Sequence, residues 1–155
     1  MKKFYIIQIV LLLAGNIVAW KSVYDDFMRF FGAGGELFQV AGCSVPNPVT
    51  TPCFYGAFAF LGTLVWSVLI FRKKDIAEKV RQEKYLSWFL IGCTLFGGFN
   101  FTKLYLDYIN GSQIGCSGAP MVTPFVTPCF YGSAIFLSAL LFSWFVLWKE
   151  GKGSV

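Results

Sequence analysis

Five cysteines carry most of the chemistry this chain can do, and four of them come in two matched loops. The first loop runs Cys-Ser-Val-Pro-Asn-Pro-Val-Thr-Thr-Pro-Cys-Phe-Tyr-Gly from Cys43 to Gly56. The second runs Cys-Ser-Gly-Ala-Pro-Met-Val-Thr-Pro-Phe-Val-Thr-Pro-Cys-Phe-Tyr-Gly from Cys116 to Gly132. Both open on Gly-Cys-Ser and close on Thr-Pro-Cys-Phe-Tyr-Gly, and both run directly into a long apolar segment. Two disulfides, Cys43–Cys53 and Cys116–Cys129, are the simplest expectation in an oxidising compartment. Closing loops of this size stabilises by about 3 kcal/mol each on the chain-entropy estimate. Exchange is the alternative chemistry. Cys53 and Cys129 each follow a proline and open a predicted helix, where exposed backbone N–H groups and the helix dipole favour a thiolate. In that case Cys53, Cys129, Cys43 and Cys116 are the redox-active residues. Phe54, Tyr55, Phe130 and Tyr131, next in sequence, fit either an interfacial aromatic belt or a surface beside a quinone.

Other chemistries are excluded or disfavoured. The chain has no histidine, so histidine triads, histidine zinc sites and histidine haem ligation are ruled out. Four thiols can bind zinc, but the intervals within each pair far exceed the short knuckles usual for zinc ligands, so no metal is expected. The net charge of +5 is spread between apolar segments and at the chain ends, without a basic stripe or reader motif, so no nucleic-acid partner is expected.

The elements that position the cysteines are apolar. Of 155 residues, 56% are hydrophobic and 14% charged, against about 45–50% and about 25% in ordinary soluble domains. The lipid bilayer is therefore the expected first partner. Four segments approach the roughly 20 residues that cross a bilayer core as a helix: Phe4 to Trp20, Phe54 to Phe71, Tyr85 to Phe101 and Phe130 to Trp148. None has an ionisable residue at its middle. Trp20, Tyr24, Tyr55, Tyr85, Trp88, Tyr105, Tyr131 and Trp148 mark interfaces. Ten of the 13 lysines and arginines precede the first segment, separate the second from the third, or follow the fourth. By the positive-inside bias both termini are cytoplasmic, in a cell (inner) membrane, and both cysteine loops face outward. The first segment also resembles a secretory signal with Ile17-Val18-Ala19 as cleavage site. Lys21 and Asp25 match Lys103 and Asp107, however, which makes that segment the counterpart of a spanning helix.

The expected fold is all-α: an integral membrane four-helix bundle of two tandem helical hairpins. Repeat one is 4–72 and repeat two 85–149, related by an axis along the membrane normal. They are joined by a cytoplasmic linker, 73–84, read as a short solvated helix. Residues 22–40 read as a helical extension, a glycine break and a segment on the bilayer surface. Small residues every fourth position give contact faces: Ala59, Thr63 and Ser67; Cys93 and Gly97; Thr94 and Gly98; Ala134 and Ser138; Ala139 and Ser143. Gln8, Asn16 and Asn100 are the polar groups at membrane depth, read as interhelical hydrogen-bonders.

In topology, with four crossings, both termini inside and two cysteine pairs in outward loops, the chain resembles the bacterial disulfide bond formation protein B and, more loosely, the vitamin K epoxide reductase family. The motif match to the first is Pro52-Cys53, with Tyr55 as the aromatic near a quinone. Gly56 stands where that family has its second cysteine, and Cys129-Phe130-Tyr131-Gly132 replaces the reductases' Cys-x-x-Cys. The resemblance implies Cys53 and Cys129 nearer a quinone, Cys43 and Cys116 facing a soluble oxidoreductase, and ubiquinone or menaquinone as acceptor. Because neither motif is complete, the leading expectation is a non-enzymatic scaffold or complex subunit. Its loops are closed by disulfides, it has no cofactor, and it binds another membrane or exocytoplasmic protein. A divergent quinone-linked thiol oxidoreductase is the alternative, and a small transporter subunit the third.

Overall fold

A computed structural model describes residues 2–35, 46–111 and 123–151. The described chain is helical throughout, without strands. Helix α1 spans Lys2–Gly32, α2 Pro52–Arg72, α3 Ile76–Ile109 and α4 Pro128–Gly151. All four are long and apolar enough to cross a membrane. The chain is thus a multi-pass, all-α four-helix bundle. At 1.5 Å per residue α2 is about 32 Å long, close to the hydrocarbon thickness, while α1 and α3 reach about 46 and 51 Å and must project beyond it.

Local chemistry sets the helix ends. Asp75 caps α3 by accepting from the Ala77 amide at 3.1 Å. Only residues 73–75 separate α2 from α3, which makes these two antiparallel neighbours. Pro52 and Pro128 open α2 and α4, a position where the missing N–H costs no helix bond. Helix α1 stops where Gly34 takes φ +77°, and the Gly35 amide donates back to the Phe30 carbonyl at 3.0 Å.

Helix α1 packs on α2 and α4, and α3 packs on α4 and α2, so the four form a square with α1 diagonal to α3. Across the other diagonal, Phe60 and Phe136 stack with centroids 3.9 Å apart and planes 9° from parallel. These two residues stand seven beyond Cys53 and Cys129 respectively. Other buried positions of α2 and α4 also coincide in that register: Thr63 with Ala139, Ser67 with Ser143, Ile70 with Val146. The opposite faces carry large exposed apolar residues such as Leu69, Leu95, Phe99 and Trp144. Helices apolar all round suit lipid on one side and protein on the other.

Close approach needs small residues, as lipid supplies no hydrophobic drive between helices. A Cβ on Gly15 would lie 2.5 Å from the Phe60 ring and 3.0 Å from Ile135. On Gly97 it would lie 2.7 Å from the Ser133 hydroxyl. Thr63, Ser67, Cys93, Ala139 and Ser143 are all buried. Two expected faces are not used: Ala134 is exposed, and nothing lies within 4 Å of a Cβ built on Gly98.

Residues 22–32 continue α1, as expected, while 36–45 lie outside the described residues. The reading of 73–84 needs correction. From Ile76 onward this stretch is the first part of α3, and Glu83 is not solvated. It has no exposed surface and accepts from Gln8 Nε2 of α1 at 3.0 Å and from Ser143 Oγ of α4 at 2.6 Å. The reason is rotational: Glu83 precedes Leu86, Leu90 and Cys93 by three, seven and ten residues, on the inward face of α3. Gln8 makes the expected interhelical bond. Asn100 instead donates to its own helix, at the Phe96 carbonyl, 2.8 Å away.

Candidate functional site

Two similar elbows lead the chain into α2 and α4. Each is a 3-10 turn, Pro48–Thr50 and Pro124–Val126, with its first proline buried. Thr51 Oγ1 donates to the Pro48 carbonyl at 2.7 Å, and Thr127 Oγ1 to the Pro124 carbonyl at 2.6 Å. The same threonines' carbonyls then accept from the amides of Phe54 and Phe130 at 3.2 and 3.1 Å. The shared Thr-Pro-Cys sequence therefore folds the same way twice and sets each cysteine in the first turn of its helix.

Both sulfur-bearing turns open on one cavity of about 60 Å³ between the helices. Cys53 and Pro52 line it from α2, Cys129 and Pro128 from α4, Gly15 and Ser22 from α1, and Gly97 and Asn100 from α3. Phe60 and Phe136 line it as well. The wall is mainly apolar. The two cysteines differ in state. Cys129 is disulfide-bonded, and its expected partner, Cys116, lies outside the described residues. Cys53 is a free thiol. The expected Cys43–Cys53 bridge is therefore not made, although Cys43 itself lies outside the described residues. The physical reason is placement: Cys53 stands in the wall of the cavity between the helices, which Ser22 of α1 also lines. Cys93 is buried in α3 and also free.

A polar group unforeseen in the sequence lies on α1 near Cys53. Ser22, Asp26 and Arg29 share a face of α1 by their spacing of four and three. Asp26 is 3% exposed and ion-paired with Arg29. Its carboxylate, and the Arg29 guanidinium, lie close enough to act electrostatically on the Cys53 sulfur. The Phe27 and Phe54 rings, 6.4 Å apart, hold this turn of α1 against the head of α2. Beside it a second cavity of about 290 Å³ is lined by Lys21, Ser22, Asp25, Arg29, Pro128 and Tyr131. The signal was present in Ser22-x-x-x-Asp26-x-x-Arg29, but the direction of that face is set only by the packing of α1 on α2.

Of the aromatics named beside the cysteines, none lines the cysteine cavity. Phe54 packs on Phe58 at 5.0 Å and Phe130 on Phe101 at 5.3 Å. Tyr55 is exposed, and Tyr131 reaches only the second cavity. The aromatics that do line the cysteine cavity, Phe60, Phe96 and Phe136, lie further along their helices. Among the described residues no three metal-ligating side chains come together. No family model matches the chain, and no curated protein or solved structure matches it.

Proposed function

We propose that this protein is a membrane thiol–disulfide oxidoreductase that moves a disulfide between Cys53 and Cys129 at one end of its helix bundle. The observation that carries this reading is the convergence of a free thiol and a disulfide-bonded cysteine on a single cavity. A static scaffold needs two closed loops. It gains nothing from a thiol that lines the same cavity as a disulfide-bonded cysteine, and exchange depends on such access and on sulfur placement.

The positive-inside bias puts this end on the outer face of a cell membrane, with both termini cytoplasmic. There Cys43 and Cys116 serve as the outward thiols that meet a soluble partner. Electrons leave to a lipid-soluble quinone, the acceptor the family resemblance implies. The cavity of about 60 Å³ is smaller than the roughly 150 Å³ that admits a benzene ring. A quinone ring therefore sits at the cavity's edge and approaches the sulfurs from the lipid side.

The test is non-reducing mass mapping of the purified full chain after incubation at graded redox poise. A Cys53–Cys129 linked peptide that rises and falls with poise, and disappears in Cys53→Ser, is the expected result. If Cys53 stays free at every poise while the Cys129 bond keeps one partner, the exchange reading is wrong and both loops are structural.

A further inference from the structure

We propose that Glu83 is a proton-binding site: it carries its proton at neutral pH and shares it with Gln8, in an acid–amide ring that ties α3 to α1. The inference is independent of thiol exchange and concerns the other end of the bundle. Gln8 and Glu83 have no exposed surface. The Gln8 amide donates from Nε2 to Glu83 Oε1 at 3.0 Å, and the Ser143 hydroxyl donates to the same oxygen at 2.6 Å. Gln8 Oε1, the other atom of that amide, is buried and has no hydrogen-bond partner among the described residues. An amide oxygen only accepts, so what it lacks is a donor. The carboxyl proton of Glu83 is that donor. In a neutral acid one oxygen accepts and the other carries the proton. The Gln8 and Ser143 donors both fall on Oε1, the accepting oxygen of such an acid. A hydroxyl on Oε2 then completes a ring of two hydrogen bonds with the amide. Turning the amide over sets its oxygen against the carboxyl and calls for a proton all the same.

The surroundings favour the neutral form, because an isolated carboxyl taken out of water gives up its charge. Toward the middle of the bundle α3 presents Leu86, Leu90 and Cys93, all buried. On α3 itself Lys79 stands one turn before Glu83, and its Nζ lies over the Tyr5 ring of α1, 5.7 Å from the centroid. Arg81 and Lys84 are exposed. On α1 the buried Tyr5 shares the face of Gln8, with Lys3 exposed beyond it. On α4 the Lys149 Nζ lies over the Phe4 and Phe145 rings at 4.7 and 5.2 Å. On α2 the cation is Arg72, in the last turn. Gln8 is also a departure from the repeat. In the register that matches Lys21 with Lys103, the buried Leu90 stands opposite it. An apolar side chain fits such a position, and here the amide serves Glu83.

Loss of the proton leaves a bare carboxylate among three helices and takes from Gln8 one of its two bonds to α3. The folded chain holds this proton where the unfolded chain has released it, so stability falls as pH rises. The site therefore acts as a proton-dependent latch between α1 and α3.

The experiment is infrared spectroscopy of the purified full chain in detergent micelles at neutral pH, read at the C=O stretch of protonated carboxyls. The wild type is expected to show a band that moves down on carbon-13 labelling of glutamate, which separates it from Asp26. The band is expected to vanish in Glu83→Gln. Gln8→Met removes the acceptor and is expected to keep the band at a higher frequency. Unfolding across pH is the companion measurement. Above about pH 4.3, where a glutamate in water ionises, the folding constant of the wild type should fall about tenfold per pH unit relative to Glu83→Gln. That fall should end at the pH where the band disappears. No glutamate band in the wild type overturns the proposal, since Glu83 is then ionised with Lys79 as its counter-charge, and this result needs no variant to fold. A band that persists in Glu83→Gln overturns it too, and one that stays in place in Gln8→Met overturns the ring.

Discussion

Replacing Glu83 tests whether the buried polar cluster at the end of the bundle away from the cysteines holds the helices in place. Glu83 accepts from Gln8 of α1 and Ser143 of α4 at 3.0 and 2.6 Å, and it has no exposed surface. Glu83→Ala removes the shared acceptor and leaves two buried donors unsatisfied. Each such group costs about 1–3 kcal/mol, and the emptied volume adds to this. Bonds between membrane helices measure nearer 1 kcal/mol because the unfolded helices also find partners. The expected net loss is therefore about 2–4 kcal/mol. Glu83→Gln keeps a side-chain oxygen where both donors point, removes any charge, and should cost under about 1 kcal/mol. The assay is unfolding of the detergent-solubilised protein by increasing sodium dodecyl sulfate mole fraction, followed by far-UV circular dichroism and tryptophan fluorescence. Equal losses for the two variants would refute the argument, because acceptor geometry would then not be the source of the stability. So would a loss under about 0.5 kcal/mol in Glu83→Ala.

Four further outcomes follow from the same structure. Gly15→Ala forces a methyl to 2.5 Å from Phe60, and overpacking of this kind should cost about 1–3 kcal/mol in the same unfolding assay. Ser143→Ala should lose about 1–2 kcal/mol, whereas Ser67→Ala, at the matching position of α2 but with a buried hydroxyl lacking a partner, should be neutral or slightly stabilising. Thr51→Ala and Thr127→Ala each remove a hydrogen bond to the proline carbonyl that shapes an elbow. Each should cost about 1 kcal/mol, and Thr51→Ala should also make the free Cys53 thiol react faster with a small maleimide. Lys21→Ala removes a 2.7 Å ion pair with Asp25 whose two side chains are 74% and 48% exposed, and screening by solvent should leave stability within about 0.5 kcal/mol of wild type.

The helices were legible because lipid demands long apolar runs and the chain supplies four. The elbows were legible because Thr-Pro-Cys-Phe-Tyr-Gly is repeated word for word. Tandem hairpins of equal orientation place their elbows at one end, but that Cys53 and Cys129 share one cavity there came from the packing of the four helices. Three features escaped for one shared reason. Glu83 sat in a charge-rich stretch and read as solvated. Asp26 read as one of an acidic pair outside the membrane. Cys53 read as the far end of a loop closure. In each case composition gave the solvent, but the outcome depended on which way a helix is rotated. Rotation is fixed by contacts between helices distant in sequence: Phe60 against Gly15, Gln8 against Glu83, Phe27 against Phe54.

Those contacts also show where the duplicated pattern stops. Along α2 and α4 the buried positions keep register, from the paired elbows through the Phe60–Phe136 stack to Ile70 and Val146. A core made only of such matched apolar positions would fit nearly as well with the hairpins exchanged, as packing by size alone specifies weakly. The polar groups remove that degeneracy at both ends. Glu83 bonds Ser143 and not its counterpart Ser67. At the cysteine end, Ser22 and Asp26 stand where the other half has Leu104 and Tyr108. Each polar contact costs desolvation, and each is satisfied in only one arrangement of the four helices. The asymmetry that fixes that arrangement is the same one that gives Cys53 a hydroxyl, a carboxylate and a guanidinium for neighbours and leaves the matching positions of the second half apolar or aromatic.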